Sequence, residues 1–426
     1  MEAQTLPMSL SHSDGYREVD WHQSFGSMEE SSTRTWFNTK GKRGLIIGRS
    51  TLAGVGKYAS KWLGDNYSGA VSMGYSIYGV LSMSQFGIPM VGADICGFMG
   101  DTTPELCAKW HLVGATYPFS RNHNGYDNRP QEPYQFKNDM FNQTTSYMQI
   151  MKFGIQTKYA LLNYYYSQYA DVAANGGALM QPLYFQFKDD AEAWRDINFN
   201  YMIGDSLKVA MVTNSTTMPQ SDFYFPAGTW CELLNRGACI TGPAYQRFNT
   251  KDISQNLMYV PSSKILLVNF WAYSATTFDL DSLRKQPSDI LVNGIADKGK
   301  TTWTAALSKP FVADDQAVTA PKVNSYAITA NADLTTNTIT VKVVATGANG
   351  TGVTNCAGVF SFNELLQKIT LMNIVGLDAK KTYQATTTAG QVLKARIANG
   401  NLEVNFDRSK SLCMQTVDTI TIAPTA

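Results

Sequence analysis

The stretch Gly87-Ile88-Pro89-Met90-Val91-Gly92-Ala93-Asp94-Ile95-Cys96-Gly97-Phe98 decides the fold. A short apolar run bounded by glycines reads as a buried parallel strand, and this one turns polar at its far end, at Asp94. Just upstream, Gly44-Leu45-Ile46-Ile47-Gly48 repeats the pattern and runs directly into Arg49. Between them, Trp62-Leu63-Gly64-Asp65-Asn66 ends in an acid; after them, the aromatic run Tyr117-Pro118-Phe119 leads to Arg121 and His123. Four successive strand-like segments thus finish in charged or polar residues. In a parallel β/α barrel such residues converge on one mouth, where ligands bind.

The segments around these strands fit that reading. Thr102-Thr103-Pro104-Glu105 is a helix start, with a threonine cap, proline in the first turn and an acid against the dipole. A longer helical segment is predicted over 144–175, with Tyr147, Met151, Ile155, Leu162 and Tyr166 at helical spacing and a stop at Gly176-Gly177. Beyond about Asp189 the pattern changes to strands such as Leu207–Val212, Ile265–Trp271, Thr338–Val343, Leu402–Phe406 and Val417–Ile422, punctuated by turn residues. The expected architecture is the second half of a (β/α)8 barrel over 1–188, followed by two β-sandwich domains over 189–275 and 276–426, dividing near Ala275.

Composition removes several function classes. The 426 residues carry 35 Lys and Arg against 34 Asp and Glu, a net charge of +1, so no electrostatic reason remains to expect a nucleic acid or an acidic membrane as partner. No run approaches the ~18 apolar residues of a membrane span. The opening residues show no apolar leader. Six cysteines without CxxC spacing and four histidines make a zinc site unexpected. Sequons at Asn66, Asn142, Asn214 and Asn349 fit a secretory protein.

Read together, Arg49-Ser50-Thr51-Leu52-Ala53-Gly54, the block Trp62–Asn66, the block Gly87–Phe98 and Pro118-Phe119-Ser120-Arg121-Asn122-His123 closely resemble family-31 glycoside hydrolases, above all the α-glucosidases of the lysosomal and intestinal type. Weaker likeness continues through Gln181-Pro182-Leu183-Tyr184-Phe185 and Tyr224–Trp230, and fades past Ala275. The resemblance implies a retaining mechanism with two carboxylates and no cofactor, acting on α-glucoside oligosaccharides, with α-xylosides or α-galactosides as alternatives. It makes Asp65 the general acid/base, with Trp62 beside it to dry its surroundings and favour the protonated acid. It places Arg49, Asp94, Arg121 and His123 around the terminal sugar, with Phe98 and Trp62 as its apolar wall. Cys96 and Cys107 match a disulfide bracing the loop after Asp94. The secretory pathway, lysosomal or extracellular, is the compartment it implies for a full-length form.

One departure is large. The family's nucleophile belongs to a Trp-x-Asp-Met-Asn-Glu block upstream of the Arg49 strand, and no such block occurs here. Asn138-Asp139-Met140 is a partial echo that lies downstream, before the long helix, while Asp20–Gly26 resembles the stretch that follows the nucleophile block. The expectation is a chain that begins after the nucleophile, inactive by itself, with the first half of the barrel as a possible partner. A non-catalytic fragment that binds a sugar or a partner chain is the other reading. Gly54-Val55-Gly56-Lys57-Tyr58-Ala59 fits GxGxxA, but five residues part it from the strand and no suitably spaced acid follows. His12 and His22 read as surface residues. Tyr164–Tyr166 read as core and groove, and Cys231 and Cys239 either as a bridge or as free thiols.

Overall fold

The computed structural model describes residues 6–425 except 196–198, 212–219, 235–237, 250–251, 254–256, 277, 296–298, 318–320, 347–358, 373–376, 407–410 and 417–418. Asn214, Asn349 and Cys356 lie outside the described residues, as do Val212 and the first two residues of the expected strand Val417–Ile422.

Four parallel strand lines carry the polar ends. They are β1 (Ile47–Gly48), β2 (Ser60–Trp62), β3 with its continuation β4 (Val91–Gly92 and Asp94–Ile95) and β5 (Arg121–Asn122). The register pairs Gly48 with Lys61, Trp62 with Gly92 and Asp94 with Arg121, so the strand ends stand level. After α1 (Glu18–Trp21) and α2 (Phe25–Thr39), helix α3 (Ala70–Gln85) returns from β2 to β3 and buries Met73, Ile77, Val80, Leu81 and Ser84, a stripe at helical spacing. Helix α4 (Pro104–Gly114) starts where the sequence places it: the Thr103 hydroxyl accepts from the Leu106 amide and Pro104 fills the first turn.

The single helix expected over 144–175 is two, α5 (Tyr147–Ala160) and α6 (Leu162–Asn175). Its break has a clear cause, because the Ala160 carbonyl accepts from the Asn269 amide instead of continuing the helical ladder. Such a partner, far along the chain, leaves no mark on local periodicity.

An antiparallel six-stranded sheet follows, in the order β10-β9-β11-β8-β7-β6. Its members are β6 (Met180–Pro182), β7 (Asn200–Ile203), β8 (Leu207–Ala210), β9 (Gln220–Glu232), β10 (Cys239–Asn249) and β11 (Met258–Pro261). Strand β6 lies before residue 188, within the segment the sequence reading gives to the barrel, yet pairs with β7. Strand β12 (Lys264–Val268) lies before Ala275, yet pairs with Ser288–Asn293 and Thr302–Ala306 of the distal twelve-stranded sheet. Alternation identifies a strand without naming its sheet, so the distal sheet starts earlier in the chain than the pattern places it. That sheet closes on itself, because Ser288–Asn293 also pairs with Leu365–Leu371. One core runs from Ile77 and Trp110 of the barrel through Tyr201 and Val260 of the six-stranded sheet; a second lies inside the distal sheet around Ile265, Tyr326 and Val341. The fold is thus the second half of a β/α barrel followed by β-sandwich and barrel-like domains. No described helix is long and apolar enough to cross a membrane.

Candidate active site

At the C-terminal ends of the parallel strands the polar residues form one connected cluster. Gly64 takes φ +91, a left-handed turn that suits glycine, and aims Asp65 at Arg49. The Arg49 guanidinium lies 3.6 Å from the Asp65 carboxylate, whose side chain keeps 28% of its surface open. The Trp62 ring is flanked by two cations, Arg49 at 5.4 Å and Arg121 at 4.9 Å from its centroid. Its indole N–H donates to Asp94 Oδ1 at 2.8 Å, and Arg121 donates to the same oxygen at 2.6 Å. Phe98 and His123 stack with centroids 5.2 Å apart.

The indole N–H ties Trp62 into the rim. Its polar edge is spent on Asp94, and Asp65 faces water and a guanidinium. The dry carboxyl is Asp94, fully buried. Burial raises its proton affinity above the usual carboxylate range, and the Arg121 and Trp62 donors together lower it by less. Its Oδ2 is buried with no hydrogen-bond partner among the described residues, and so is Arg121 Nε. A half-used buried carboxylate costs free energy unless a donor arrives. The pair is therefore set to receive hydroxyl groups.

Three supporting residues escape a strand-end reading. Asn66 donates to the Asp94 carbonyl and accepts from the Phe98 amide, so both ends of its amide are used to hold the loop. Its sequon is the one signal the sequence offered, and it points to a different role. Gln131 donates to the carbonyls of Ile95, Gly97 and His123 and fastens the two loops together. Lys61, on β2, donates to the Arg49 carbonyl, and burial lowers its proton affinity.

The loop after Asp94 is tightly constrained. Cys96 and Cys107 form a disulfide, as do Cys231 and Cys239 across β9 and β10. A side chain on Gly97 would meet Ser68 Cα at 2.4 Å, so glycine is required there. His111 completes a cluster with Cys96 and Cys107, but the disulfide leaves no thiolate to bind a metal. Asp139 lies ahead of α5, where its charge acts on the Tyr147 hydroxyl. Gly54 opens a single 3-10 turn, Val55–Lys57, and so offers none of the helix N-terminus a dinucleotide needs. His12 and His22 both bind the Glu18 carboxylate, at 2.8 and 2.9 Å.

Residues 2–168 match the pattern of the glycosyl hydrolases family 31 TIM-barrel domain, and residues 176–266 that of the family 31 C-terminal domain. The chain is 36% identical to the lysosomal alpha-glucosidase of Bos taurus over 215 residues, half of this chain and 22% of that protein. It is 37% identical to the intestinal sucrase-isomaltase of Suncus murinus over 225 residues, 53% of this chain and 12% of that protein. Among solved structures, a glucosidase II alpha subunit superposes with a TM-score of 0.75 at 17% identity, over 99% of this chain and 44% of that one. The Flavobacterium johnsoniae GH31 dextranase gives 0.76 at 19% identity, over 98% and 50%. The matched region thus spans under a quarter of these curated relatives and about half of the solved chains. With both family patterns matching in order over more than half of its length, the chain belongs to glycosyl hydrolase family 31.

Proposed function

We propose that this chain carries the acid/base side of a retaining α-glucosidase site and binds the terminal glucose of an α-linked oligosaccharide. The observation that carries the reading is the buried Asp94 carboxylate, which spends one oxygen on Trp62 and Arg121 and leaves the other without a donor at the mouth of the strands. A sugar hydroxyl there supplies the missing donor, while His123 and Arg121 add polar contacts and Phe98 and Trp62 supply the apolar wall. Asp65 then protonates the departing glycosidic oxygen as a second carboxylate attacks the anomeric carbon. Water, deprotonated by Asp65, later releases the sugar from that carboxylate.

The second carboxylate comes from outside these 426 residues, since they hold no Trp-x-Asp-Met-Asn-Glu block. It belongs to strands that pair with the outer edges of β1 and β5, the ends of the parallel order among the described residues. Exposed apolar side chains beside β1, Leu45 and Trp36, support a covering partner there. By this reading the chain alone is inactive. The two disulfides and the lysosomal and intestinal relatives support a secretory-pathway compartment.

Substrate class is tested with 4-nitrophenyl glycosides on the chain joined to its missing barrel strands. The α-glucoside is expected to give the highest kcat/KM, with the α-xyloside and α-galactoside at least about tenfold lower through unpaired polar groups at Asp94 and His123. A preference for either of those would overturn the glucose assignment.

A further inference from the structure

At the opposite end of the parallel strands lies a cavity of about 410 Å³, a size typical of small-molecule sites. Met90 and Pro118, which precede β3 and β5, form part of its wall. Leu162 of α6, Leu283 of the short helix Leu280–Arg284 and Phe311 of the strand Phe311–Asp314 make much of the rest apolar.

Its polar groups are out of balance. Arg43 is paired with Asp314 at 2.9 Å, and that carboxylate also accepts from the Tyr166 hydroxyl. Arg284 meets backbone carbonyls, those of Asp314 and Phe360. Lys158 donates to the backbone carbonyls of Tyr117 and Pro118 and lies 4.0 Å from the Tyr165 ring centroid. Among the described residues, no carboxylate pairs with Lys158 or Arg284. The Tyr169 hydroxyl, lining the same cavity, is buried with no hydrogen-bond partner among the described residues. The Lys158 ammonium and the Tyr169 hydroxyl, set among apolar walls, are each costly as they stand, and one anion with an apolar body relieves both.

We propose that this cavity is a binding site for a small amphiphilic carboxylate, its acid group met by Lys158 and the Tyr169 hydroxyl and its hydrocarbon laid along Leu162, Leu283 and Phe311. The site is separate from the strand-end rim and does not depend on the hydrolase reading.

Affinity should depend on pH through Lys158. Burial pushes its ammonium down to about 7, so binding weakens as pH rises through that value, while a carboxylate ligand stays ionised. The other groups facing it do not titrate there. The Asp314 hydrogen bond holds the Arg43 guanidinium charged. Burial lifts Tyr165, Tyr166 and Tyr169 above the usual phenol range. Burial also raises Asp314, but the Tyr166 and Arg43 contacts outweigh it and hold that carboxyl low. On the other side of Lys158, burial lowers His111 to about 4, so it stays neutral.

The test is calorimetric titration of the chain with octanoate, 1-octanol and octylammonium just below neutral pH. Octanoate is expected to bind saturably at one site, with both other probes at least about tenfold weaker, since a charge-assisted hydrogen bond is worth that much. Lys158→Met should weaken octanoate at least about tenfold, with folding checked by circular dichroism. Tyr169→Phe keeps the ring and the packing and should weaken binding about three- to tenfold, the worth of one hydrogen bond. Absence of saturable octanoate binding, octanol binding as tightly as octanoate, or a folded pair of variants that bind like the parent would each overturn the proposal.

Discussion

Replacing Asp65 with asparagine, in a barrel completed by its nucleophile-bearing strands, is expected to lower maltose hydrolysis by about 10²–10⁴-fold, the usual worth of a positioned proton donor. Asparagine keeps the size of the side chain but cannot protonate the departing oxygen. The loss should be smaller for an aryl α-glucoside, because a nitrophenolate leaves without a proton; water attack in the second step would still lack its base. Stability should change little, within about 0.5 kcal/mol, because Asp65 is partly exposed and its ion pair with Arg49 is long. An Asp65→Asn enzyme with normal maltose turnover would remove Asp65 from this role.

Asp94→Asn is expected to separate function from stability. Burial raises the Asp94 carboxyl above its ordinary range, so the folded chain holds that proton more tightly than the unfolded chain. The sign follows: this group's contribution to stability is greatest at acid pH and is lost as pH climbs from the ordinary carboxylate value past the raised one. At neutral pH the ionised carboxylate therefore costs stability. Asparagine removes that cost and still offers an oxygen to Trp62 and Arg121, so the thermal midpoint should be unchanged or higher, within about 1 kcal/mol of the parent. In the completed enzyme kcat/KM should nevertheless fall on the order of 10²-fold, because the amide presents a donor where the sugar hydroxyl needs an acceptor. Asp94→Ala should behave differently, losing about 3 kcal/mol by stranding Arg121 and the Trp62 N–H. An asparagine variant that melts as early as the alanine variant would show that Asp94 is there for structure.

The strand ends were legible because their chemistry is local. Each of Arg49, Asp65, Asp94 and Arg121 sits just beyond a short apolar run, and parallel register alone brings them level. The partner of Trp62 was not legible. Its ring could shade Asp65 or bind Asp94 with equal sequence cost, and the choice is made by Arg121, which fixes Asp94 from the other side. The structural part played by Asn66 was hidden for a related reason: a sequon records which residues follow an asparagine and says nothing of whether its amide is already engaged. The division of the sheets was hidden because β12 has the same alternation whichever sheet receives it. Lys158 left no signal either. A lysine on an amphipathic helix reads as solvated, and only the cavity built by the distal domain makes it otherwise.

We propose that these residues hold a proton donor and a sugar-hydroxyl acceptor but not the nucleophile. The most direct measurement is the release of 4-nitrophenolate from 4-nitrophenyl α-glucoside by the 426-residue chain alone, beside its Asp65→Asn variant. No release above the uncatalysed rate from either protein is the predicted result; turnover by the parent that disappears in the variant would contradict it.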